Sequence, residues 1–284
     1  MIDNPQVNTT LGIVPTTETL LAAFTAWQLQ RGFSRMTIKR RRTSVTGLQG
    51  WMDPAPMWTS KPEDIDDWLG TFPSARTRHA YRSDLAVFFK WGTRRGVLSQ
   101  NPMELVDSIK VPKSLPRPVP ASRIDELIAA APTRRIATAI ALAAYAGLRR
   151  AEITKLTTDD IYLETVPPVL HVRGGKGGKD RAVPIHPALA YHLAQYRTGR
   201  IVPVTPNCCG TEVAAHLRAC GINATMHQLR HTFGTEVVRA SNGNLMLGGV
   251  LMGHESPNTT RGYVALVAGG DAAAAVGRMY GGAA

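Results

Sequence analysis

The sequence predicts a mainly α-helical protein with two domains and one small β-hairpin or sheet. Most of the 284 residues lie in segments whose apolar residues recur at the three- and four-residue spacing of a helix. The stretch "VLHVRGGKGGKDRAVPI" instead contains two short β runs around a glycine-rich turn. The stretch "SIKVPKSLPRPVPAS" has four prolines between Ser108 and Ser122. Because proline fixes the backbone and lacks an N–H donor, this stretch favours an extended linker between two domains.

The linker sets the expected domain boundaries. We expect an N-terminal tail at residues 1–16, a helical domain at 17–109, a proline-rich linker at 110–120 and a second domain at 121–284. Both domains have enough apolar residues for a core, since 44% of the chain is hydrophobic and 19% is charged.

The first domain is predicted to be a small helical bundle. The first helix, in "TETLLAAFTAWQLQRG", is expected to be capped by Thr17 or Thr19 and to stop at Gly32. Two further long helices are predicted in "SRMTIKRRRTSVTGLQGWM" and "SARTRHAYRSDLAVFFKWGTRRG", and a shorter one in "PEDIDDWLG".

The second domain is predicted to be helical on both sides of its β runs. Helices are expected in "ASRIDELIAAA" and "RRIATAIALAAYAG", and again in most of the chain after the hairpin. In the tail, Asp271 is a candidate cap for an alanine-rich helix with Val276 and Met279 on one side. A helix this short is marginal alone, so we expect it to dock on its own or a neighbouring subunit.

Composition narrows the class of partner. The formal net charge of +12 points to a polyanion, because lysine and arginine release condensed counterions when they contact phosphates. The sequence has no apolar run long enough to cross a bilayer and no signal-peptide pattern at its start, so we expect a cytoplasmic protein without a membrane partner. The three cysteines, Cys208, Cys209 and Cys220, lack C-x-x-C spacing and are interpreted as free thiols.

Two predicted helices of the first domain carry dense positive charge. We interpret these cations as phosphate contacts on DNA, and a solvated cationic surface is the alternative. The candidate DNA-binding residues are Arg35, Lys39, Arg40, Arg41, Arg42, Arg76, Arg78 and Arg82.

Four separated pieces of the second domain carry the candidate chemistry. In "GLRRAE", Arg149 lies at the junction of two helices and Glu152 opens the second. In "RGGKGGKDR", Lys176 lies at a hairpin tip. Taken alone, each cation also fits an ordinary solvated surface residue.

The other two pieces lie closer to the C-terminus. In "MHQLRHTFGT", His227 and Arg230 are three residues apart and share one face of a helix. In "MGHESPNTTRGY", His254 and Tyr263 are nine residues apart. Arginines can neutralise a phosphate in the role that a metal ion plays elsewhere, and a tyrosine can attack it. The set favours phosphoryl transfer without a metal, a cofactor or ATP.

These motifs resemble those of the tyrosine recombinases, or phage-type integrases. "GLRRAE" is similar to the first-arginine motif, "GGKGGKDRAVPI" to the hairpin-lysine motif, "HQLRHTFGT" to the H-x-x-R box, and "LMGHESPNTTRGY" to the segment with the nucleophile. The resemblance covers nearly the whole chain, since the first domain is similar to the helical core-DNA-binding domain that precedes the catalytic domain in that family. It implies an N-terminal helical core-binding domain and a C-terminal tyrosine-recombinase catalytic domain.

The resemblance implies a role for each residue of the cleavage step. Arg149 and Arg230 would clamp the scissile phosphate, and Lys176 would protonate the leaving 5′ oxygen. Tyr263 would attack the phosphorus to give a 3′-phosphotyrosine.

The remaining roles also follow from the resemblance. His227 would assist proton transfer as a base, His254 would hydrogen-bond the phosphate, and Glu152 would help to order the site. Met252 stands where the family more often has leucine, a change that conserves volume. Tyr280 is the rival nucleophile, but Tyr263 keeps the family's nine-residue spacing from His254.

The resemblance also implies the partners. They are double-stranded DNA with attachment-type sites, a homotetramer on synapsed DNA formed from free monomers, and an accessory directionality factor. About sixteen residues precede the first predicted helix, so no arm-site-binding domain is expected. A short phage integrase is favoured over an Xer-type resolvase of chromosome dimers. A type IB topoisomerase and a catalytically inactive DNA-binding relative are the alternatives from other classes.

Overall fold

The computed structural model describes residues 16–112, 117–174, 180–242 and 244–253, with residues 276, 277 and 279 near the C-terminus. The chain divides into two compact units, Met1–Ser114 and Leu115–Ala284. The described residues are mostly helical and contain one three-stranded sheet, which confirms the predicted class, mainly α with a small sheet. None of the helices in these ranges is long and apolar enough to cross a membrane.

Within residues 16–112, the first unit has four α-helices and two short 3₁₀ turns. The helices are α1 (Thr17–Gln30), α2 (Arg35–Met52), α3 (Pro62–Gly70) and α4 (Ala75–Arg94), and the 3₁₀ turns are Met57–Thr59 and Pro102–Glu104.

Hydroxyl side chains cap the starts of α1 and α2. The Oγ1 atom of Thr16 accepts a hydrogen bond from the backbone N–H of Thr19 at 3.2 Å, and Ser34 Oγ accepts one from Thr37 N at 3.2 Å. The predicted cap of α1 at Thr17 or Thr19 is therefore wrong. Thr16 has extended backbone angles, so its side chain can turn back to the free N–H groups of the first helical turn.

Aromatic side chains fill the core of the first unit. The ring of Phe24 in α1 lies 5.2 Å from Phe88 and 5.1 Å from Trp91, both in α4. Trp68 of α3 stacks on Tyr81 of α4 at 5.4 Å. Such contacts add to the burial of apolar area, so they join α1 and α3 to α4.

The second unit has seven α-helices in the described part of the chain, three before its sheet and four after it. Before the sheet are α5 (Ile124–Ala129), α6 (Arg134–Ala146) and α7 (Arg150–Ile153), with 3₁₀ turns at Ala121–Arg123 and Thr158–Asp160. The strands are β1 (Ile161–Tyr162), β2 (Val169–Val172) and β3 (Arg181–Pro184). After them are α8 (Pro187–Leu193), α9 (Pro206–Ala219), α10 (Met226–Ala240) and α11 (Leu245–Met252).

The sheet is antiparallel, with strand order β1-β2-β3. Its register pairs Leu170 with Val183, both fully buried, and Val172 with Arg181 at the end of the hairpin. β1 was not predicted, because two residues are too few to show a strand period.

A glycine turn after α6 sets the position of the residues that follow it. Gly147 ends α6 in the left-handed conformation, with φ of +64°, and a Cβ atom there would lie 2.3 Å from Cδ1 of Phe233 in α10. α6 and α10 therefore approach closely at this point, and the chain turns sharply towards Arg149.

Two residues of the tail pack into the second unit. Val276 and Met279 are both buried in its core, and Nε2 of His186 lies 3.3 Å from the carbonyl oxygen of Met279. The rest of the predicted terminal helix lies outside the described residues, and its docking on a neighbouring subunit stays a prediction.

The Gly147 turn gives a stability test. Gly147→Ala should lower the free energy of unfolding by about 2–5 kcal/mol, because it adds left-handed strain of about 1–2 kcal/mol to overpacking of about 1–3 kcal/mol against Phe233. Gly221→Ala is the matched control, since Gly221 also has a positive φ, +78°, but a Cβ there meets nothing within 4 Å. Chemical denaturation should show a clearly smaller loss for the control, and equal losses would contradict the packing argument.

Candidate active site

A buried carboxylate, Glu152, lies at the centre of the candidate site. It is on the single turn of α7, and its Oε2 atom accepts a hydrogen bond from the backbone N–H of Arg149 at 2.7 Å. This bond satisfies one free N–H at the start of the helix. The same carboxylate contacts the side chains of Arg149, Arg181 and Arg230, which come from three different elements.

Arg149 is the most accessible guanidinium of this cluster. Its Nη1 donates to Oε1 of Glu152 at 2.9 Å, and its Nη2 donates to the carbonyl oxygen of Gly253 at 2.7 Å. Its side chain is 29% exposed, compared with 2% for Arg230 and 10% for Arg181. Arg149 is thus held at two points while part of it stays open to a ligand.

Arg230 is enclosed by the protein. It lies on α10, and its Nη1 and Nη2 donate hydrogen bonds to the carbonyl oxygens of Gly147 and Met252. Nη1 is also 3.9 Å from Oε2 of Glu152. Burial, followed by the charge of Arg149, lowers the pKa of Arg230 to about 9, so this guanidinium is still charged near pH 7.

Arg181 was missed by the sequence analysis. It lies at the start of β3, and its Nη1 and Nη2 donate to the two oxygens of Glu152 at 2.9 and 2.8 Å. Its Nε donates to the carbonyl oxygen of Leu251 at 2.9 Å. The available signal was an arginine in "KDRAVPI", directly after the glycine-rich turn and at the start of an apolar strand.

The electrostatics of the cluster favour an anionic ligand. Burial alone would raise the pKa of Glu152, but its hydrogen bonds and charge interaction with Arg181, and its bonds with Arg149, bring the pKa down to about 2. The carboxylate is therefore ionised at neutral pH. One carboxylate facing three guanidinium groups leaves surplus positive charge, which a phosphate would neutralise.

Two histidines of α10, His227 and His231, lie one helical turn apart beside Arg230. His227 is three residues before it, and the rings of His227 and His231 are 4.3 Å apart. Burial, then the charges of Arg230 and Arg149, lower the pKa of His227. Burial, then His227 and Arg230, lower the pKa of His231. A neutral His227 can accept a proton, and His231, which sequence patterns did not single out, lies against its ring.

Three of the predicted site residues lie outside the described residues, as does the rival tyrosine. They are Lys176, His254, Tyr263 and Tyr280. Hydrogen bonds of the described residues lie close in the chain to two of these positions, His254 and Lys176. Gly253, whose carbonyl accepts from Arg149, immediately precedes His254. Gly174 donates its N–H to Oδ1 of Asp180 at 2.7 Å, which joins the two ends of the segment containing Lys176.

Two of the predicted DNA-binding cations have side-chain partners inside the first unit. Arg40 binds the buried Asp84 through Nε at 2.9 Å and Nη2 at 2.6 Å, and Ser44 donates to the same carboxylate at 2.9 Å. Arg41 donates to Oε1 of the buried Gln28 at 3.1 Å. These contacts connect α2 to α4 and α1.

Two more of these cations bind backbone carbonyls. Arg78 donates to the carbonyl oxygen of Phe72 at 2.8 Å. Arg82 donates to the carbonyl oxygens of Asp107 and Val106, each at 2.6 Å. These bonds attach the segments before and after α4 to that helix.

The other four cations are exposed, and their charged side chains make no hydrogen bond or ion pair with any described residue. They are Arg35, Lys39, Arg42 and Arg76. Three of them follow one another at spacings of four and three residues, so they form a row on one face of α2, which we call the α2 row (Arg35, Lys39, Arg42).

A search of the described residues for three or more histidine, cysteine or acidic side chains that could hold a metal ion found no such group.

Comparison with known proteins gives one family. Residues 119–268 match the phage integrase family. The chain is 29% identical over 287 residues to tyrosine recombinase XerD of Ralstonia nicotianae, which covers 89% of this chain and 92% of that protein. It is 30% identical over 175 residues to tyrosine recombinase XerA of Pyrococcus horikoshii, a match that spans 56% of this chain and 60% of that protein.

Two solved structures are similar to this one. The integrase from mycobacterium phage Brujita matches with a TM-score of 0.51 and 26% identity, covering 93% of both chains. A lambda integrase tetramer bound to a Holliday junction matches with a TM-score of 0.70 and 18% identity, covering 86% of this chain and 79% of that one. The second likeness concerns the fold.

The low pKa of Glu152 predicts how stability depends on pH. Its ionised form contributes stability above the ordinary pKa of 4.5, and this contribution is lost as the pH falls towards 2. Glu152→Gln should therefore lower the free energy of unfolding by about 3–5 kcal/mol at pH 7, because it leaves buried arginines without a charged partner. The deficit relative to wild type should narrow at pH 3.

Denaturation curves of both proteins at pH 7 and pH 3 test this expectation. Glu126→Gln is the control, since Glu126 forms an exposed pair with Arg123, and it should change stability little at either pH. A Glu152→Gln deficit that stays constant between the two pH values would rule out the proposed ionisation.

Proposed function

The chain belongs to the phage integrase family of tyrosine recombinases, and we propose that it cuts and rejoins DNA at specific sites through a covalent 3′-phosphotyrosine on Tyr263. The observation that carries this proposal is the meeting of Arg149 and Arg230 at one buried carboxylate, beside the C-terminal end of α11. Two guanidinium groups fixed in this way suit the non-bridging oxygens of a phosphodiester.

The two arginines have unequal access to a phosphate. Arg149 uses two side-chain N–H groups in contacts with Glu152 and Gly253, and the remaining donors of its fork are left for a ligand. Arg230 donates to the carbonyl oxygen of Met252 and is almost fully buried. To contact the phosphate, Arg230 must therefore exchange its hydrogen bond to Met252 for one to a phosphate oxygen. The phosphate therefore contacts Arg149 first and Arg230 afterwards.

The proposed cleavage step needs neither a metal ion nor ATP, because one bond to phosphorus forms as another breaks. The phenol oxygen of Tyr263 forms a bond to phosphorus, and the bond from phosphorus to the 5′ oxygen breaks. His227 takes up the phenol proton, and Lys176 gives a proton to the leaving 5′ oxygen. The roles of Tyr263, Lys176 and His254 rest on the family's motifs, and the lowered pKa of His227 suits it to accept a proton.

Glu152 has a distinct part in this proposal. It does not contact the phosphate, because its oxygens already accept hydrogen bonds from Arg149 and Arg181. It fixes the direction in which the Arg149 fork points. It also balances part of the charge of Arg230, which keeps that buried guanidinium ionised before DNA arrives.

Double-stranded DNA is the proposed partner of the first unit. The net charge of +12 supports this partner, and the α2 row is the best candidate contact, because its three cations have no described intramolecular partner. Arg76 is also exposed, and its side chain has no described intramolecular partner. Arg40, Arg41, Arg78 and Arg82 were predicted to bind phosphate, but their contacts within the unit support a structural role instead.

The similarity to the phage Brujita integrase supports integration or excision of phage or other mobile DNA. The likeness to XerD over most of both chains supports the second candidate, resolution of chromosome dimers. A type IB topoisomerase would relax supercoils without exchanging strands. Incubation with two labelled sites separates a recombinase of either kind from a topoisomerase, since recombinant products come only from a recombinase.

A homotetramer on synapsed DNA, assembled from free monomers, is the proposed working form. The likeness of the fold to the lambda integrase tetramer bound to a Holliday junction supports it. An accessory directionality factor is proposed as a partner for the integrase function, and the topoisomerase alternative would have no such partner.

The nucleophile can be tested directly. Tyr263→Phe should bind a half-site with wild-type affinity but form no covalent adduct on a nicked suicide duplex, because only the attacking oxygen is removed. Tyr280→Phe is the matched control and should form the adduct at the wild-type level. Denaturing gels measure both. An adduct with Tyr263→Phe and none with Tyr280→Phe would reverse the assignment.

The α2 row can be tested by salt dependence. Each phosphate contact contributes about 0.9 to the slope of log affinity against log salt, so Arg35→Gln, Lys39→Gln and Arg42→Gln should each lower the slope by about that amount. Arg82→Gln is the control: it should lower the melting temperature and leave the slope unchanged, since Arg82 binds backbone carbonyls. Gel-shift titrations in which only Arg82→Gln changes the slope would contradict the proposed contact between the α2 row and DNA phosphates.

A further inference from the structure

Arg181 connects three parts of the second unit at the candidate site. Its backbone lies in β3, opposite Val172 at the turn end of the hairpin. Its guanidinium reaches both oxygens of Glu152 and also the carbonyl oxygen of Leu251 near the end of α11. The hairpin, α7 and α11 are therefore linked through one side chain.

The packing around Arg181 is close. A Cβ atom on Gly253 would lie 3.0 Å from Nη1 of Arg181, and Gly253 has φ of +63°. A larger residue would press on the guanidinium, so glycine allows α11 to end directly against Arg181. The same Gly253 supplies the carbonyl that accepts from Arg149. The end of α11 thus contacts both arginines.

The geometry gives Arg181 a different task from Arg149. Arg181 is 10% exposed, and its Nε, Nη1 and Nη2 atoms all donate to protein oxygens. A phosphate would have to displace a bidentate carboxylate to bind it. Arg149, at 29% exposed, makes only one side-chain bond to that carboxylate. Arg181 therefore acts on the substrate only through other residues.

We propose that Arg181 is a positioning residue for DNA cleavage: it clamps Glu152, which fixes the orientation of Arg149, and it fixes the end of α11 beside the same carboxylate. This inference rests on the proposed recombinase function. A bidentate clamp leaves the carboxylate one orientation, whereas a single bond would let it rotate. Small errors in position are costly, since a misplacement of about 1 Å can reduce a rate about 10²-fold.

A lysine cannot replace Arg181 in this role. Among the described residues, the charged groups that face Glu152 are Arg149 at the N-cap of α7, Arg181 from β3 and Arg230 from α10. Arg181→Lys keeps the charge balance of this group but offers a point charge in place of a planar fork. It therefore separates the clamp geometry from the charge.

A double-mutant cycle tests the inference. The DNA site is first identified by footprinting, and the single-turnover rate constant for covalent adduct formation is then measured at saturating protein. The four proteins are wild type, Arg181→Lys, Glu152→Gln and the double variant. Each single variant should lose roughly 10²-fold in rate with half-site affinity unchanged. The double variant should lose about the same, because residues that act as one unit are not additive.

Arg173→Gln is the matched control, since Arg173 follows β2 and pairs with Asp160, outside the Glu152 cluster. It should cleave at the wild-type rate. Melting curves of all variants, with assays run below the lowest melting temperature, remove unfolding as a cause.

Two outcomes would overturn the inference. One is a wild-type rate constant for Arg181→Lys, with or without a lowered melting temperature. The other is a rate loss in the double variant equal to the product of the two single losses. Absence of any adduct with the wild-type protein on its footprinted site would instead reject the proposed function itself.

Discussion

The second unit depends on the charge interaction between Glu152 and the guanidinium groups around it. Burying an arginine costs several kcal/mol unless a charge and hydrogen bonds compensate, on the order of the penalty for any buried ion. Arg230 is almost fully buried and Arg181 nearly so, and both face this one carboxylate. Without it, three like charges would meet with two of them almost removed from water. The same carboxylate makes the cluster possible and leaves it with surplus positive charge for a phosphate.

The surrounding fold brings these groups together by ordinary means. Gly147 allows α6 to end against α10, which places Arg149 at the start of α7 and Glu152 within its single turn. α10 carries Arg230 and His227 on one face, and the carbonyls at the end of α11 accept hydrogen bonds from three arginines. Those carbonyls are the negative end of the helix dipole, so cations are favoured there.

Sequence patterns predicted the local features and missed the long-range ones. Helical periodicity and the proline-rich stretch were enough for the fold class, and short motifs singled out Arg149, Glu152, His227 and Arg230, whose catalytic roles remain proposals. Arg181 was missed because its partner lies 29 residues earlier in the chain, across a turn whose pairing no spacing rule reveals. Charge density likewise did not distinguish Arg40, which binds the buried Asp84, from the cations of the α2 row, whose side chains pair with no described residue.

The central claim is that one carboxylate holds the phosphate-binding arginines in place. A crystal structure of the protein on a half-site duplex, with vanadate linking the tyrosine and the cleaved strand, measures this most directly. We expect donor nitrogens of Arg149 and Arg230 at about 3 Å from the same non-bridging oxygens, with Arg181 still bound to both oxygens of Glu152. A phosphate bound away from Arg149, or bound by Arg181 with Glu152 released, would contradict the account.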